Sequence, residues 1–199
     1  MSDSPVDSGR RNWVALTAGA GAIGGVTAAV PFVSTFLPSE RAKAAGAAVE
    51  ADISNLKPGE KMTVEWRGKP VWVVRRTKEQ LESLKKTDAQ VADPQSKRKP
   101  DELTPSYARN EHRAIKPEYF VAVGICSHLG CSPSDKLQPG AQPSLPDDWQ
   151  GGFLCPCHGS TFDLAGRVFK NKPAPDNLEV PPHMYLSDTL LLIGEDKKA

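Results

Sequence analysis

All four cysteines of this 199-residue chain fall into two short boxes, together with two of its four histidines. The first box is Cys126-Ser127-His128-Leu129-Gly130-Cys131 and the second is Cys155-Pro156-Cys157-His158-Gly159-Ser160. Each offers one thiolate and one imidazole at metal-ligand spacing, Cys-x-His in the first and Cys-x-x-His in the second, with a cysteine to spare. Joint use of both boxes requires two loops distant in sequence to meet, and the fold must serve that meeting.

Composition narrows the remainder. Charged residues make up 25% and the formal net charge is +1, so no electrostatic case for nucleic acid arises. Eighteen prolines and sixteen glycines predict a loop-rich, β-rich fold rather than a helix bundle. Aromatic residues are 7%, so the core is expected to rest on Val, Ile and Leu. There are no internal repeats.

The N-terminus does not read as globular. No charged residue stands between Arg11 and Glu40, and Trp13 to Leu37 exceeds the roughly 20 apolar residues that cross a bilayer as a helix. The absence of a clean Ala-x-Ala site after this stretch favours a retained anchor over a cleaved signal peptide. Arg10-Arg11 resembles a bacterial twin-arginine export signal, although the Ser or Thr usual before the pair is missing. The arginines place the N-terminus inside and the rest outside, where disulfides persist. The resulting division is a cytoplasmic 1–11, a transmembrane anchor 12–37, a linker 38–51 and a soluble domain 52–199, whose metal-binding part spans about 120–175.

Within the soluble domain, Met62, Val64 and Trp66 alternate with Thr63, Glu65 and Arg67, the period of a half-buried strand. Arg67-Gly68-Lys69-Pro70 turns the chain into Val71–Arg75, a hairpin. Thr77-Lys78-Glu79-Gln80 is a capping-box pattern opening a short helix with Leu81 and Leu84 on its apolar edge. Thr87 to Pro100 reads as a surface loop, and Tyr119 to Ile125 as a buried strand entering the first box. Gln138 to Asp148 is irregular. Thr189 to Ile193 is a last strand, expected to return beside an early one in an antiparallel sandwich that places the boxes as adjacent loops.

Three chemistries compete for the boxes. Zinc accepts two cysteines and two histidines but has no use for the extra cysteine in each box, nor for Gly130, Gly159 and Ser160. Two structural disulfides would leave the symmetrically placed His128 and His158 idle. A two-iron centre with two thiolates on one iron and two imidazoles on the other uses both.

The boxes resemble those of Rieske proteins of the respiratory quinol–cytochrome c reductase (cytochrome bc) complex, of proteobacterial type. That family's pattern is Cys-Thr-His-Leu-Gly-Cys with Cys-Pro-Cys-His-Gly-Ser, matched here except for Ser127. The resemblance extends to the anchor, the Ala-rich linker and a proline loop, Lys172-Pro173-Ala174-Pro175. It implies an all-β Rieske fold with one N-terminal transmembrane helix and one short helix in the soluble domain. It implies one [2Fe–2S] cluster held by Cys126 and Cys155 on one iron and His128 and His158 on the other, and a Cys131–Cys157 disulfide joining the loops. His158 is the implied quinol-binding and proton-accepting residue, and Leu129 is part of the implied apolar docking tip. Ser160, Leu129 and Gly130 are the implied cofactor-binding residues, and Ser160 is the implied donor to a cluster sulfur. The family's second donor, a tyrosine, falls at Phe162, which has no hydroxyl. The implied function is ubiquinol oxidation at a cytochrome b subunit and electron delivery to a membrane-bound c-type cytochrome, within a dimeric complex of a bacterial inner membrane. The alternative is a Rieske small subunit of a molybdenum oxidase such as arsenite oxidase. His112 and His183 lack cysteine neighbours and read as surface or packing histidines.

Overall fold

The computed structural model describes residues 8–37, 39, 46–99 and 102–196. It divides into two compact units, 1–44 and 45–199. In the first, α1 (Ser8–Ser34) is a single 27-residue helix that includes Arg10 and Arg11, and it is long and apolar enough to cross a membrane. The chain leaves it through turns at Thr35–Leu37, so the helix starts and stops slightly earlier than the 12–37 expected from sequence. Hydroxyls within it need internal partners in hydrocarbon. Thr17 donates back to the carbonyls of Trp13 and Val14 and Thr27 to those of Ile23 and Gly24, all at 2.9–3.0 Å.

Among its described residues the second unit contains nine strands: β1 (Val49–Asp52), β2 (Lys61–Trp66), β3 (Lys69–Arg75), β4 (Tyr119–Val123), β5 (Ser134–Lys136), β6 (Gly152–Leu154), β7 (Thr161–Asp163), β8 (His183–Tyr185) and β9 (Leu190–Ile193). One further helix, α2 (Lys78–Thr87), follows β3. The strands form three antiparallel sheets ordered β1-β9-β8, β2-β3-β4 and β5-β6-β7. The late strand β9 does return beside the early β1, pairing Val49 with Ile193.

The middle sheet has no free face in its centre, which explains why β3 and β4 read as nearly continuous apolar runs. Val71, Val73, Val121 and Val123 pack with Ala51, Leu191 and Ile193 of the terminal sheet. From the opposite face Trp72, Val74, Phe120 and Ala122 pack with Cys126, Phe153, Cys155 and Phe162 of the box-bearing part. Trp72 stacks on Phe153 with ring centroids 5.0 Å apart. Burying side chains of this size contributes about 1.5–3 kcal/mol each, so the two boxes rest on a well-packed part of the core.

Local signals are realised as read. β2 and β3 form a hairpin whose central residues, Arg67 and Gly68, both have positive φ, the geometry that matches strand twist. The Thr77 hydroxyl accepts the Gln80 N–H at 3.2 Å and the Gln80 side chain accepts the Thr77 N–H at 2.9 Å, completing the capping box. His183 is buried edge-on to Tyr107, and burial holds its pKa below the ordinary histidine value.

Two boundaries differ from expectation. The linker read as 38–51 overlaps β1, because Val49–Ala51 pair with β9 and Ala51 joins the core; residues 38 and 40–45 of it lie outside the described residues. The stretch from Thr87 to Pro100 is not simply a surface loop. Val91, Asp93 and Ser96 are buried, since the Asp93 carboxylate satisfies the backbone N–H groups of Lys97 and Arg98 at 2.9 Å each, which lets a polar segment fold inward.

Candidate metal centre

The register of the smallest sheet brings the boxes together. Ser134 of β5 lies opposite Leu154 of β6, and Leu154 lies opposite Thr161 of β7. The start of β5, the end of β6 and the start of β7 therefore share one end of the sheet. The second box is the hairpin loop between β6 and β7, and the first box leads into β5 beside it.

The two loops have the same backbone design. In the first, the Gly130 N–H donates to the Cys126 carbonyl at 3.1 Å and the Cys126 N–H to the Cys131 carbonyl at 2.8 Å. In the second, the Gly159 N–H donates to the Cys155 carbonyl at 3.0 Å and the Cys155 N–H to the Ser160 carbonyl at 2.7 Å. Gly130 and Gly159 have φ of +82° and +74°, a left-handed turn that glycine enters without steric cost. Each loop thus returns on itself and presents its cysteine inward and its histidine toward the rim.

Cys126 and Cys155 are buried, each 2% exposed. Burial pushes the Cys126 thiol up; the His128 backbone N–H and the Ser160 hydroxyl pull the other way, while Cys155 adds to the rise. The His128 and His158 rings meet edge to face, centroids 4.8 Å apart, with His128 half-buried and His158 exposed. Cys131 and Cys157 form a disulfide across the loops. Their sulfurs and that of Cys155 lie within 4.8 Å of one another, but a bonded pair is not a thiolate donor. The remaining donor set is two thiols and two imidazoles, one of each from either loop. That set fits the mixed ligation of a two-iron cluster with histidines on the outer iron.

Ser160 is fully buried and its hydroxyl oxygen accepts the Ala174 N–H at 2.9 Å. Its own proton is therefore free for sulfur, in keeping with its contact to Cys126. Leu129 is 71% exposed, the most exposed large apolar side chain among the described residues of this unit. Phe162, at the position of the family's tyrosine, is wholly buried in the core group that holds both free cysteines.

The sequence profile of the Rieske [2Fe–2S] domain matches residues 47–182. The chain is 57% identical over 188 residues to the ubiquinol-cytochrome c reductase iron-sulfur subunit of Allochromatium vinosum, covering 94% of this chain and 89% of that one. It is 39% identical to the subunit of the same name from Bradyrhizobium diazoefficiens, covering 93% and 94%. That from Rhodospirillum rubrum is 38% identical, covering 94% and 93%. The chain belongs to the Rieske family, among the iron–sulfur subunits of ubiquinol–cytochrome c reductase. Its cofactor is accordingly a Rieske [2Fe–2S] cluster, its head has the Rieske fold, and its N-terminal helix is a single-pass anchor.

The sequence did not reveal how the proline loop is fastened in this Rieske protein. The Ser127 hydroxyl donates to the Asp176 carbonyl at 2.6 Å and accepts the Asp176 N–H at 3.3 Å. Ser127 in the first box and Ser160 in the second thus clamp the same segment. A hydroxyl residue at position 127, where the family pattern has Thr, was the available sign.

Proposed function

We propose that this chain is the electron-carrying subunit that oxidises ubiquinol against a cytochrome b partner and delivers the electron to a membrane-bound c-type cytochrome. The observation that carries this reading is the pair of rim imidazoles above two buried thiols, with an exposed apolar residue beside them. When bound through Cys126, Cys155, His128 and His158, the [2Fe–2S] cluster supplies a one-electron acceptor, its potential raised into a range of about −150 to +300 mV by neutral imidazoles in place of thiolates.

The protein's own groups do the rest. His158 is exposed, so its outer ring nitrogen can hydrogen-bond a quinol hydroxyl and take its proton. Leu129 provides apolar contact at the mouth of the quinol site, where water must be kept from the transferring proton. The buried positions of Cys126 and Cys155 keep solvent from the sulfurs, and the disulfide fixes the separation of the loops. On this reading the haems and the quinol pocket belong to partner subunits, within a dimeric complex. Arg10 and Arg11 put the N-terminus on the cytoplasmic side of a bacterial inner membrane by the positive-inside rule, following twin-arginine export. The head then lies in the periplasm. The names borne by the relatives favour this reading over a subunit of a molybdenum oxidase.

Two measurements test it. In redox titrations of membranes, the midpoint is expected to fall by about 59 mV per pH unit in the alkaline range, as one proton accompanies one electron. A profile flat to high pH would remove the proton-accepting role of His158. Ser160→Ala is expected to lower the midpoint, because a hydrogen bond to a charged acceptor contributes about 1.5–3 kcal/mol, or roughly 65–130 mV for one electron. An unchanged midpoint would mean that the serine proton is not on sulfur.

A further inference from the structure

The loop Lys172–Asn177 is fastened to the pair of boxes, to the Val168 N–H, which donates to Asn177 Oδ1 at 2.9 Å, and to the segment 93–99. The sequence presents that last segment as an unremarkable polar stretch. Arg98 donates from Nη1 to the Pro175 carbonyl at 2.7 Å, and Lys99 Nζ contacts the Asp176 carboxylate at 2.8 Å. Asn177 Nδ2 donates to the Asp93 carbonyl at 2.9 Å. Ala174, between the two prolines, is 4% exposed and packs in the same core group as Cys126 and Cys155. Lifting this loop opens the cysteine pocket to water and takes the Ala174 N–H away from Ser160.

The segment that supplies the two cations is itself held in an unfavourable conformation. Ser96 and Lys99 have φ of +50° and +45°, which costs a non-glycine residue on the order of 1–2 kcal/mol. It is kept there by the Asp93 carboxylate, which takes two backbone N–H groups, and by Arg113 Nε donating to the Ser96 hydroxyl at 2.8 Å. Strain of this kind persists where the surroundings over-determine it. Here it directs Arg98 and Lys99 onto the proline loop.

We propose that Arg98 and Lys99 are positioning residues of the cluster site, holding the 172–177 loop closed over the buried cysteines. The inference rests on the reading of the two boxes as the quinol-oxidising centre and adds a control point outside them. The plainer view is that Lys99–Asp176 is a surface ion pair of little consequence, as exposed pairs usually are. Against it, although the Lys99 side chain is 51% exposed, that of Asp176 is only 10% exposed, and the Asp176 backbone is already fixed on Ser127. The pair therefore ties the segment 93–99 to an anchored carboxylate rather than to a second mobile chain. Arg98 adds a charge-assisted bond to the neighbouring carbonyl.

The test compares Arg98→Gln, Lys99→Gln and their double variant with Lys97→Gln, all in the full chain assembled in its membrane complex. Lys97 lies in the same segment but lines a surface hollow with Arg109 and Glu111, so its variant controls for loss of one positive charge. The readouts are the cluster midpoint and the rate at which an iron chelator bleaches the cluster. The double variant is expected to bleach about tenfold faster than Lys97→Gln, as the loss of two charge-assisted bonds implies. Its midpoint should also lie below that of Lys97→Gln, because Ser160 no longer has Ala174 to orient it. Lys99→Arg should restore most of the effect of Lys99→Gln. Bleaching and midpoint matching those of Lys97→Gln would overturn the proposal. Should the double variant fail to assemble, Lys99→Gln alone decides, with a several-fold faster bleaching expected and none overturning it. An unmutated complex whose cluster spectrum ignores quinone-site inhibitors would sink the quinol reading and leave this comparison standing.

Discussion

Replacing Cys131 and Cys157 together by serine is expected to cost the head about 3–4 kcal/mol and to abolish retention of iron during purification. The bond joins residues 26 apart, and on the chain-entropy account a closed loop of that size removes this much freedom from the unfolded chain. A domain of ordinary stability has about 5–15 kcal/mol in total, so the loss is a large share. Its effect at the centre is more specific. Each box is a self-bonded loop, and the bonds between Cys126 and Cys131 or between Cys155 and Ser160 stabilise one loop without reference to the other. The disulfide is the covalent connection that sets the distance between their paired ligands. The double variant avoids the unpaired thiol that a single substitution would leave beside Cys155. Iron and inorganic sulfide content, together with the urea midpoint, check the expectation. A variant with full iron and an unchanged midpoint would refute it.

Asp163→Asn is expected to destabilise the head by about 3–5 kcal/mol, the range for breaking a buried ion pair from one side. Arg76, Arg113 and Arg167 are at most 2% exposed, and Asp163 is 1% exposed among them. Asp163 accepts Arg167 Nε at 2.7 Å and also the N–H groups of Ala165 and Arg167 at 2.9 Å. Arg76 donates to the carbonyls of His112, Pro117 and Leu164 and lies over the Phe120 ring. Arg113 reaches carbonyls and the hydroxyls of Ser96 and Thr104. Burial pushes these two guanidinium groups down to about 9 and about 10, and the Asp163 charge opposes that fall in both. They stay charged at neutral pH, so without Asp163 three buried cations face one another, offset by dipoles, the half-exposed Asp88 beside Arg167 and the Asp93 charge acting on Arg113. Asp163 stands at the end of β7, shortly after Ser160, so the loss should extend to the second box. Equilibrium urea unfolding of the holo-protein measures it. Combining Asp163→Asn with Arg167→Met should recover part of the stability, since removing both partners is cheaper than removing one. A change below about 1 kcal/mol in the single variant would show that the network is not electrostatically closed.

These two sites differ in how far the sequence announced them. The boxes were legible because ligand chemistry restricts residue type and spacing over a few positions. The hairpin at Arg67-Gly68 and the capping box at Thr77 were legible for a related reason, as their bonds join residues close in sequence. The arginine network was not. Arg167 bonds the Leu84 carbonyl 83 positions away, and nothing in the local pattern distinguishes an arginine destined for the interior from one on the surface. The burial of Val91, Asp93 and Ser96 escaped for the same reason: polar composition argued for solvent, and partners such as Asn177 lie far along the chain.

By itself, then, the chain's sequence determined the two cysteine–histidine boxes, the anchor's length and lack of charge, and the period-two strands that could form a layered β head. Each depends on residue identity within a short window, where geometry varies little. Only the tertiary structure decided that the middle sheet would be covered on both faces. It also decided that the histidines would stand at the rim above buried thiols, and that Arg98 and Lys99 would fasten the proline loop. Those outcomes depend on which distant segments exclude water from one another, and burial of that kind is a property of the assembled fold.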